Sequence, residues 1–266
     1  MMIPFVKAHA CGNDFLIVEE GHAAGQHAAV AHSLCTRHTG IGADGVEFLD
    51  RSGGSRLRLF NSDGSEAELS GNGTRCVAAW LAHSEGTQRI LFETHGGPRR
   101  CRVMEQNENH YVIESGMGVP RVMPRTIVLP GVGEVSGAMV NVGNPHFVLF
   151  VDTSEFDAHG RSWQELGALL SVSPVFPHGT NVEFVRMDSL SEIAFRIYER
   201  GCGPTTSSGT GTCAASAAAI KLRGAERSLT AMAEGGSQRV AWPRSEDEML
   251  LTGPAEIVCT GKALIR

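Results

Sequence analysis

Short segments of alternating or β-branched residues dominate the chain, and few stretches are long enough for extended helices. Runs of this kind are typical of half-buried or buried strands. The strands that the pattern predicts recur along the whole length: Phe15–Val18, Arg56–Phe60, Arg89–Thr94, His110–Ile113, Thr126–Leu129, Phe147–Val151, Val182–Arg186, Ile193–Tyr198 and Glu248–Leu251.

Two segments depart from this strand pattern. Gly73–Ser84 and Gly211–Arg223 are rich in alanine, largely uncharged in the middle and preceded by glycines. A helix without a polar face is a buried helix. The two segments therefore predict two buried helices, each with a core of its own.

The predicted helices begin within an internal repeat. Ser70–Thr74 and Ser208–Thr212 both read SGxGT and lie 138 positions apart. Each copy follows a strand-like segment and opens one of the two helices. Because solenoid repeats have a period of about 20–50 residues, this distance indicates the duplication of half a protein instead.

The duplication predicts two similar domains. Gly116–Pro124 interrupts the strand pattern, so the boundary is expected near this segment. The first domain then covers residues 1–117, joined by a C-terminal strand at 253–266, and the second covers residues 118–252. A ligand is expected in a cleft between the halves, where both glycine-rich turns can face it.

Composition narrows the class of protein. The chain has 266 residues, 42% of them hydrophobic and 20% charged, with a net charge of −6, which argues against a nucleic-acid or anionic-membrane surface. No signal-peptide pattern opens the chain, and its apolar runs are too short to span a bilayer. Seven irregularly spaced cysteines without a CxxC pair suggest reduced, cytoplasmic thiols rather than disulfides or a metal site.

The two SGxGT turns are candidate anion sites. Backbone N–H groups and the positive end of a helix dipole favour a carboxylate or phosphate, and glycines let a ligand approach the backbone closely. A single copy would be interpreted as an ordinary serine N-cap. Two copies on buried helices favour ligand binding, and neither copy matches the dinucleotide fingerprint GxGxxG.

Further polar turns accompany these motifs. Each is also compatible with a plain turn, because Asn, Asp and Gly are turn formers. Glu199 and Arg200 follow a predicted strand, where they form either a solvated pair or a clamp for a carboxylate. Composition and motifs alone thus predict a cleft enzyme for a small, polar, carboxylate-bearing ligand. The turns are Gly12–Phe15, Asn61–Glu66, Gly143–His146 and Gly179–Val182.

Together, these segments resemble the diaminopimelate epimerase family from end to end. The resemblance implies an α/β fold with two pseudo-symmetric domains, each a β-barrel-like sheet wrapped round a central buried helix. It also implies a cytoplasmic homodimer of the lysine pathway that interconverts LL- and meso-diaminopimelate without pyridoxal phosphate, another cofactor or a metal. The matching stretches are HACGNDFLIV, RHTGIGADGVEFL, RLFNSDGSEAELSGNGTRC, VGNPHFVLFV, FPHGTNVEFV and YERGCGPTTSSGTGTCAA.

The resemblance further implies the site residues. In this family one thiolate removes the α-proton and a thiol on the opposite face delivers another. Ser70 and Ser208 stand at the positions of these two catalytic cysteines, and His146 and Glu199 match residues that tune them. The implied substrate-binding residues are Asn13, Gly45, Asn61, Gly71, Asn72, Asn144, Asn181, Glu199, Arg200, Gly209 and Thr210.

The chain departs from the family pattern at several of these positions. A serine hydroxyl is a far weaker acid than a thiol, so Ser70 and Ser208 predict low or altered activity. Pro204 replaces a usual glutamate, and a larger polar residue is usual near Gly45. Three hypotheses stay open: an epimerase with engineered or natural serines, a divergent amino-acid racemase or hydroxyacid dehydratase or isomerase, and a non-catalytic amino-acid-binding protein.

The cysteines fall into two groups relative to this site. Cys76 and Cys213 lie within the predicted helices and are expected in the cores, where free cysteine is common. Cys11 and Cys202 lie beside the ligand-binding segments. They are candidates for a substitute catalytic role only if their thiols ionise readily.

Overall fold

A computed structural model describes residues 1–23 and 25–265 and has the predicted α/β class. Its helices are α1 (His27–Cys35), α2 (Gly71–Glu85), α3 (Trp163–Ser171) and α4 (Gly209–Leu222), with a 3-10 turn at Glu20–His22. The strands of the N-terminal part are β1 (Met2–Ala10), β2 (Asn13–Glu19), β3 (Gly45–Asp50), β4 (Ser55–Asn61), β5 (Glu66–Ala67), β6 (Arg89–Glu93), β7 (Arg99–Asn107) and β8 (His110–Gly116). The remaining strands are β9 (Arg121–Leu129), β10 (Gly133–Asn141), β11 (Pro145–Phe150), β12 (Asn181–Met187), β13 (Glu192–Glu199), β14 (Gly203–Thr205), β15 (Ser228–Ala233), β16 (Gly236–Ala241) and β17 (Leu250–Leu264).

The chain divides into two compact units. The first comprises residues 1–116 and 252–266, and the second comprises residues 117–251. In the first unit, β1, β2, β3, β4, β6, β7, β8 and β17 pair in that order, and β17 pairs again with β1 to close the ring. Helix α2 buries its residues against side chains from all eight of these strands, so it is the central helix of a barrel.

The second unit repeats the pairing pattern of the first. Strands β10 to β13, β15 and β16 pair in the same order and directions as β1 to β4, β6 and β7, and β9 flanks β10 as β17 flanks β1. Helix α4 packs in the core of this unit with the sheet strands around it. Helices α1 and α3 cover a second core on another sheet face of their respective units.

The two central helices confirm the prediction from the alanine-rich segments. Each begins two residues earlier than predicted, at the first glycine of SGxGT, because the preceding serine is the N-cap. Helix α2 ends where Gly86 adopts a left-handed conformation with φ of 71°, the usual C-terminal signal. Helix α4 contains twelve buried residues, from Gly209 to Ile220, so the absence of a polar face reflects burial.

Other parts of the fold differ from the predicted pattern. Helices α1 and α3 are absent from the prediction, because nine-residue helices on the outside of a sheet leave only a weak signal. The interruption at Gly116–Pro124 is shorter than expected, since β9 already begins at Arg121. The final strand begins at Leu250 rather than Glu248 and continues for 15 residues. No helix among the described residues has the length and apolar character needed to cross a membrane.

Candidate functional site

The two SGxGT motifs have the same local geometry. Ser70 is the N-cap of α2: its Oγ accepts a hydrogen bond from the Gly73 amide at 3.0 Å, and Thr74 Oγ1 donates to its carbonyl at 2.7 Å. The same two bonds at Ser208, the N-cap of α4, measure 3.2 and 2.7 Å. Each motif therefore fixes a serine hydroxyl beside the first-turn N–H groups, which have no partner within a helix.

In the first unit, a chain of hydrogen bonds extends from the α2 terminus. Arg75 is fully buried and donates from Nη2 to Asn72 Oδ1 over 2.6 Å. Asn72 Nδ2 donates to Asn13 Oδ1 over 3.1 Å, and Asn13 Nδ2 donates to Asp44 Oδ2 over 2.6 Å. The structure thus brings together the predicted residues Asn13 and Asn72 and orients both amides through two charged residues.

In the second unit, a different chain leads to Ser208. Glu183 Oε1 lies 2.6 Å from His146 Nδ1, and His146 Nε2 lies 2.8 Å from Asn144 Oδ1. Asn144 Nδ2 donates to Thr210 Oγ1 over 3.3 Å, and Thr210 Oγ1 lies 3.4 Å from Ser208 Oγ. Four of the predicted site residues are therefore connected through contacts that end at the α4 N-cap.

Glu199 and Arg200 lie at the end of β13 and point to different partners. Glu199 is half-buried, and burial raises the pKa of its carboxyl, an effect that the neighbouring hydroxyl of Ser208 opposes. Arg200 is exposed and donates from Nη1 to the carbonyl of His178 over 2.8 Å, while its amide donates to Asn181 Oδ1 over 2.9 Å. The guanidinium thus lies at the surface of the second unit, without a described contact to Ser208.

Glycine at position 45 leaves no space for a side chain. A Cβ atom at Gly45 would lie 2.8 Å from the carbonyl oxygen of Phe60, so any side chain at this position would require a backbone shift. Gly45 pairs with Asn61 across β3 and β4, and Asn61 Nδ2 donates to Ser65 Oγ over 3.0 Å. Position 45 can therefore offer only its backbone to a ligand.

Two buried glutamates that the sequence motifs did not identify as site residues lie against the helix termini. Glu47 on β3 is 2% exposed, and Glu183 on β12 is fully buried. A Cβ atom at Gly73 would lie 2.0 Å from Glu47 Oε1, and one at Gly211 would lie 3.1 Å from Glu183 Oε1. Burial raises the pKa of Glu47 to about 8 and also raises the pKa of Glu183, where His146 opposes the rise. The repeated letters VEF at both positions are a sequence signal that could have identified them.

The partner of these glutamates distinguishes the two units. Phe15 pairs with Gly45 in the parallel ladder of β2 and β3, and His146 pairs with Asn181 in the equivalent ladder of β11 and β12. The first unit therefore has a phenyl ring where the second has an imidazole. Of these two equivalent positions, only the one in the second unit holds a side chain, His146, that can bind a proton.

The cysteines of the two central helices lie in the cores, away from solvent. Cys76 and Cys213 are fully buried in the two helix cores, as predicted. Burial raises the pKa of the Cys76 thiol far above its usual range, so this residue stays a neutral thiol. Cys11 is buried with φ of 52°, and Cys202 is exposed. Across residues 1–23 and 25–265, no three His, Cys, Asp or Glu side chains converge as they would around a metal ion.

Each unit thus places helix N–H groups, a polar side chain and a serine hydroxyl at one point. Such a set can bind a carboxylate and hold a small polar ligand. In the second unit a carboxyl group, Glu199, also stands beside the hydroxyl, so that unit has a proton acceptor next to Ser208. This combination defines a candidate site for proton-transfer chemistry rather than a purely structural cap.

Solved structures share this fold over nearly the whole chain. A Bacillus anthracis phenazine biosynthesis protein of the PhzF family superposes with a TM-score of 0.77 at 16% identity, covering 100% of both chains. A hydroxyproline epimerase from Agrobacterium vitis, with bound trans-4-hydroxy-L-proline, gives a TM-score of 0.72 at 18% identity, covering 99% of this chain and 91% of that one. At these identities the likeness establishes a common two-unit α/β fold.

Sequence relationships are more specific. The profile of the family described as diaminopimelate epimerase matches residues 5–123 and 138–258. A diaminopimelate epimerase from Synechocystis sp. is 34% identical over 287 residues, covering 100% of both chains. The chain therefore belongs to the diaminopimelate epimerase family, and it is an isomerase of the epimerase and racemase class.

Proposed function

We propose that the protein binds diaminopimelate and interconverts its LL and meso forms by exchanging the proton on one α-carbon. In this proposal Ser70 and Ser208 are the two residues that transfer the proton. The observation that carries this proposal is the matched pair of serine N-caps, each fixed beside a helix N-terminus that can hold a carboxylate. The names of the full-length relatives support diaminopimelate as the substrate.

The α-proton of an amino acid is a weak acid, so its removal needs stabilisation of the charge that moves into the carboxylate. Donors aimed at that developing charge supply much of the stabilisation in such reactions. The first-turn N–H groups of α2 and α4, at Gly71–Asn72 and Gly209–Thr210, are such donors. Asn13, Asn61, Asn144, Asn181, Glu199 and Arg200 supply the additional polar groups that a substrate with a second amino and carboxylate terminus requires.

Serine at both positions lowers the rate of this reaction. An enzyme that inverts a carbon needs one group ionised and the other protonated, and a hydroxyl ionises much less readily than a thiol. Glu199 lies beside Ser208 and can accept its proton. In the unit that contains Ser70, the position equivalent to His146 holds Phe15, which cannot bind a proton. With serine at both positions, the protein is therefore a slow epimerase. A cofactor-free reaction and a homodimer remain predictions.

Proton exchange measured by NMR tests the proposal. LL-diaminopimelate incubated with the protein in deuterated water should slowly lose its α-proton signal and yield the meso form. Calorimetry on the same protein should show binding of diaminopimelate and weaker binding of proline, a monofunctional amino acid. Tighter binding of proline would instead favour a divergent racemase. Binding of diaminopimelate with no exchange over long incubation would favour the non-catalytic binding protein.

A further inference from the structure

The buried pair of Glu183 and His146 shares one proton whose position matters for the site. Both side chains are fully buried, and their facing atoms are 2.6 Å apart. Three arrangements are possible: an ionised glutamate beside a doubly protonated imidazole, an ionised glutamate that accepts from a neutral imidazole protonated on Nδ1, or a neutral carboxylic acid that donates to Nδ1 of a neutral imidazole. The hydrogen bonds around the pair decide among them.

The second oxygen of Glu183 favours the neutral arrangement. Oε2 is buried and has no hydrogen-bond partner among the described residues. An ionised carboxylate with one oxygen buried and unsatisfied is costly, whereas the carbonyl oxygen of a neutral acid loses much less. Burial also raises the pKa of Glu183 against the opposing effect of His146.

We infer that Glu183 is a neutral carboxylic acid and a positioning residue: by donating to His146 Nδ1, it sets the direction of the hydrogen-bond chain that ends at Ser208. His146 then carries its proton on Nε2 and donates to Asn144 Oδ1 over 2.8 Å. Asn144 Nδ2 in turn donates to Thr210 Oγ1 over 3.3 Å. The Thr210 oxygen is thereby used as an acceptor, and its hydrogen is available for Ser208 Oγ at 3.4 Å.

This direction determines where the Ser208 proton points. Ser208 Oγ already accepts from the Gly211 amide at 3.2 Å, and the hydroxyl of Thr210 supplies a second donor. Since both donors face the Ser208 oxygen, its own hydrogen is left for the neighbouring carboxyl of Glu199. Two donors on the oxygen and an acceptor for the hydrogen are the arrangement that most favours loss of the proton.

The first unit provides a matched control. Glu47 is equally buried and lies against the equivalent helix glycine, but Phe15 stands where His146 stands in the second unit. Replacing Glu47 therefore removes a buried carboxyl group under a helix N-terminus without touching the chain of hydrogen bonds. A change that is seen in the Glu183 variants and not in the Glu47 variant is then attributable to the lost hydrogen bond between Glu183 and His146.

The ¹⁵N NMR signals of His146 test the inference in the full chain without substrate. The expected result at neutral pH is one protonated nitrogen, Nε2, and one unprotonated nitrogen, Nδ1. The variant Glu183→Gln should keep this tautomer, because its amide donates to Nδ1 as the neutral acid does, whereas Glu183→Met should lose the preference. Glu47→Met should leave the His146 signals unchanged. Two protonated nitrogens, or a proton on Nδ1 alone, in the unmodified protein would overturn the inference, as would an unchanged tautomer in a folded Glu183→Met variant.

A kinetic comparison extends the test to Ser208, and only this part rests on the proposed function. The rate of α-proton exchange should stay within about twofold in Glu183→Gln and fall about tenfold in Glu183→Met, with similar substrate affinity, because a hydrogen bond to the reacting hydroxyl is lost. Equal rates in both variants would overturn the link to Ser208. Absence of exchange in every variant would refute the proposed function, while the tautomer still decides the state of Glu183.

Discussion

Glu47 Oε1 lies so close to the α-carbon of Gly73 that a Cβ atom at position 73 would be 2.0 Å away. Both residues are buried, with Glu47 on a barrel strand and Gly73 in the first turn of α2. The second glycine of the SGNGT motif is therefore required by a strand side chain. Its freedom to adopt unusual backbone angles is not needed, because its φ is not positive.

Gly73→Ala should destabilise the protein by about 1–3 kcal/mol, because the added methyl group overpacks a buried site. The gain in helix propensity, at most about 1 kcal/mol, is smaller. Denaturant unfolding measures the change, and Gly53→Ala, where no atom lies within 4 Å of an added Cβ, should change stability by less than about 0.5 kcal/mol. Equal stability of the two variants would show that Glu47 moves aside freely.

Glu47→Gln should flatten the dependence of stability on pH. The folded protein holds the Glu47 proton up to a pKa of about 8, while the unfolded chain releases it near its ordinary value of 4.5. Because the folded state binds more protons in this window, the free energy of unfolding falls as pH rises from about 5 to 8. The variant lacks this contribution. The free energy of unfolding of the variant minus that of the parent should therefore increase by roughly 1 kcal/mol for each pH unit in this range. Parallel curves for the two proteins would contradict the assignment.

Each serine N-cap should contribute measurably to stability. Ser70 Oγ and Ser208 Oγ each accept a helix amide, so Ser70→Ala or Ser208→Ala should cost about 0.5–2 kcal/mol. Ser162, whose side chain caps α3 in a capping box, supplies a control for a cap of the same kind away from the site. Thermal unfolding in parallel gives the three values, and no loss at either site would show that the hydroxyls do not cap the helices.

Arg200→Ala should weaken the binding of diaminopimelate by about 1.5–3 kcal/mol, as expected for loss of a charged hydrogen bond to a carboxylate. The exposed guanidinium donates only to the carbonyl of His178 among its described contacts and can turn toward a ligand. Arg161, which likewise donates to a backbone carbonyl, is the matched control. Calorimetry should show unchanged affinity for Arg161→Ala, and unchanged affinity for Arg200→Ala would remove Arg200 from the substrate site.

The repeated motifs allowed much of the fold to be predicted from the sequence. Both central helices follow from their alanine-rich composition and their SGxGT starts, and the family follows from ordered motifs along the chain. Helix α3 was missed although Ser162 and Glu165 form a capping box, because a short apolar run after that signal also fits a strand. Local sequence patterns do not distinguish a short helix from a strand in such a segment.

The proton-binding groups inside the site were harder to predict. Glu47 and Glu183 lie in apolar strands, where a single acidic residue is usually predicted to be exposed to solvent. Arg75 similarly lies near the start of a helix expected to be largely uncharged in the middle, and it is fully buried against Asn72. Their roles depend on which strand faces which helix terminus, and that relation arises only from tertiary packing.

Restoration of the thiols tests the central claim most directly. The α-proton exchange rate of LL-diaminopimelate in deuterated water should rise by about a thousandfold in the double variant Ser70→Cys and Ser208→Cys, which corresponds to about 4 kcal/mol in the barrier. Each single variant should gain little, because inversion uses both groups as a unit. Cys11→Ala and Cys202→Ala should leave the residual rate unchanged. Full-rate exchange by the unmodified chain, or a double variant that binds diaminopimelate and stays as slow as its parent, would contradict the account.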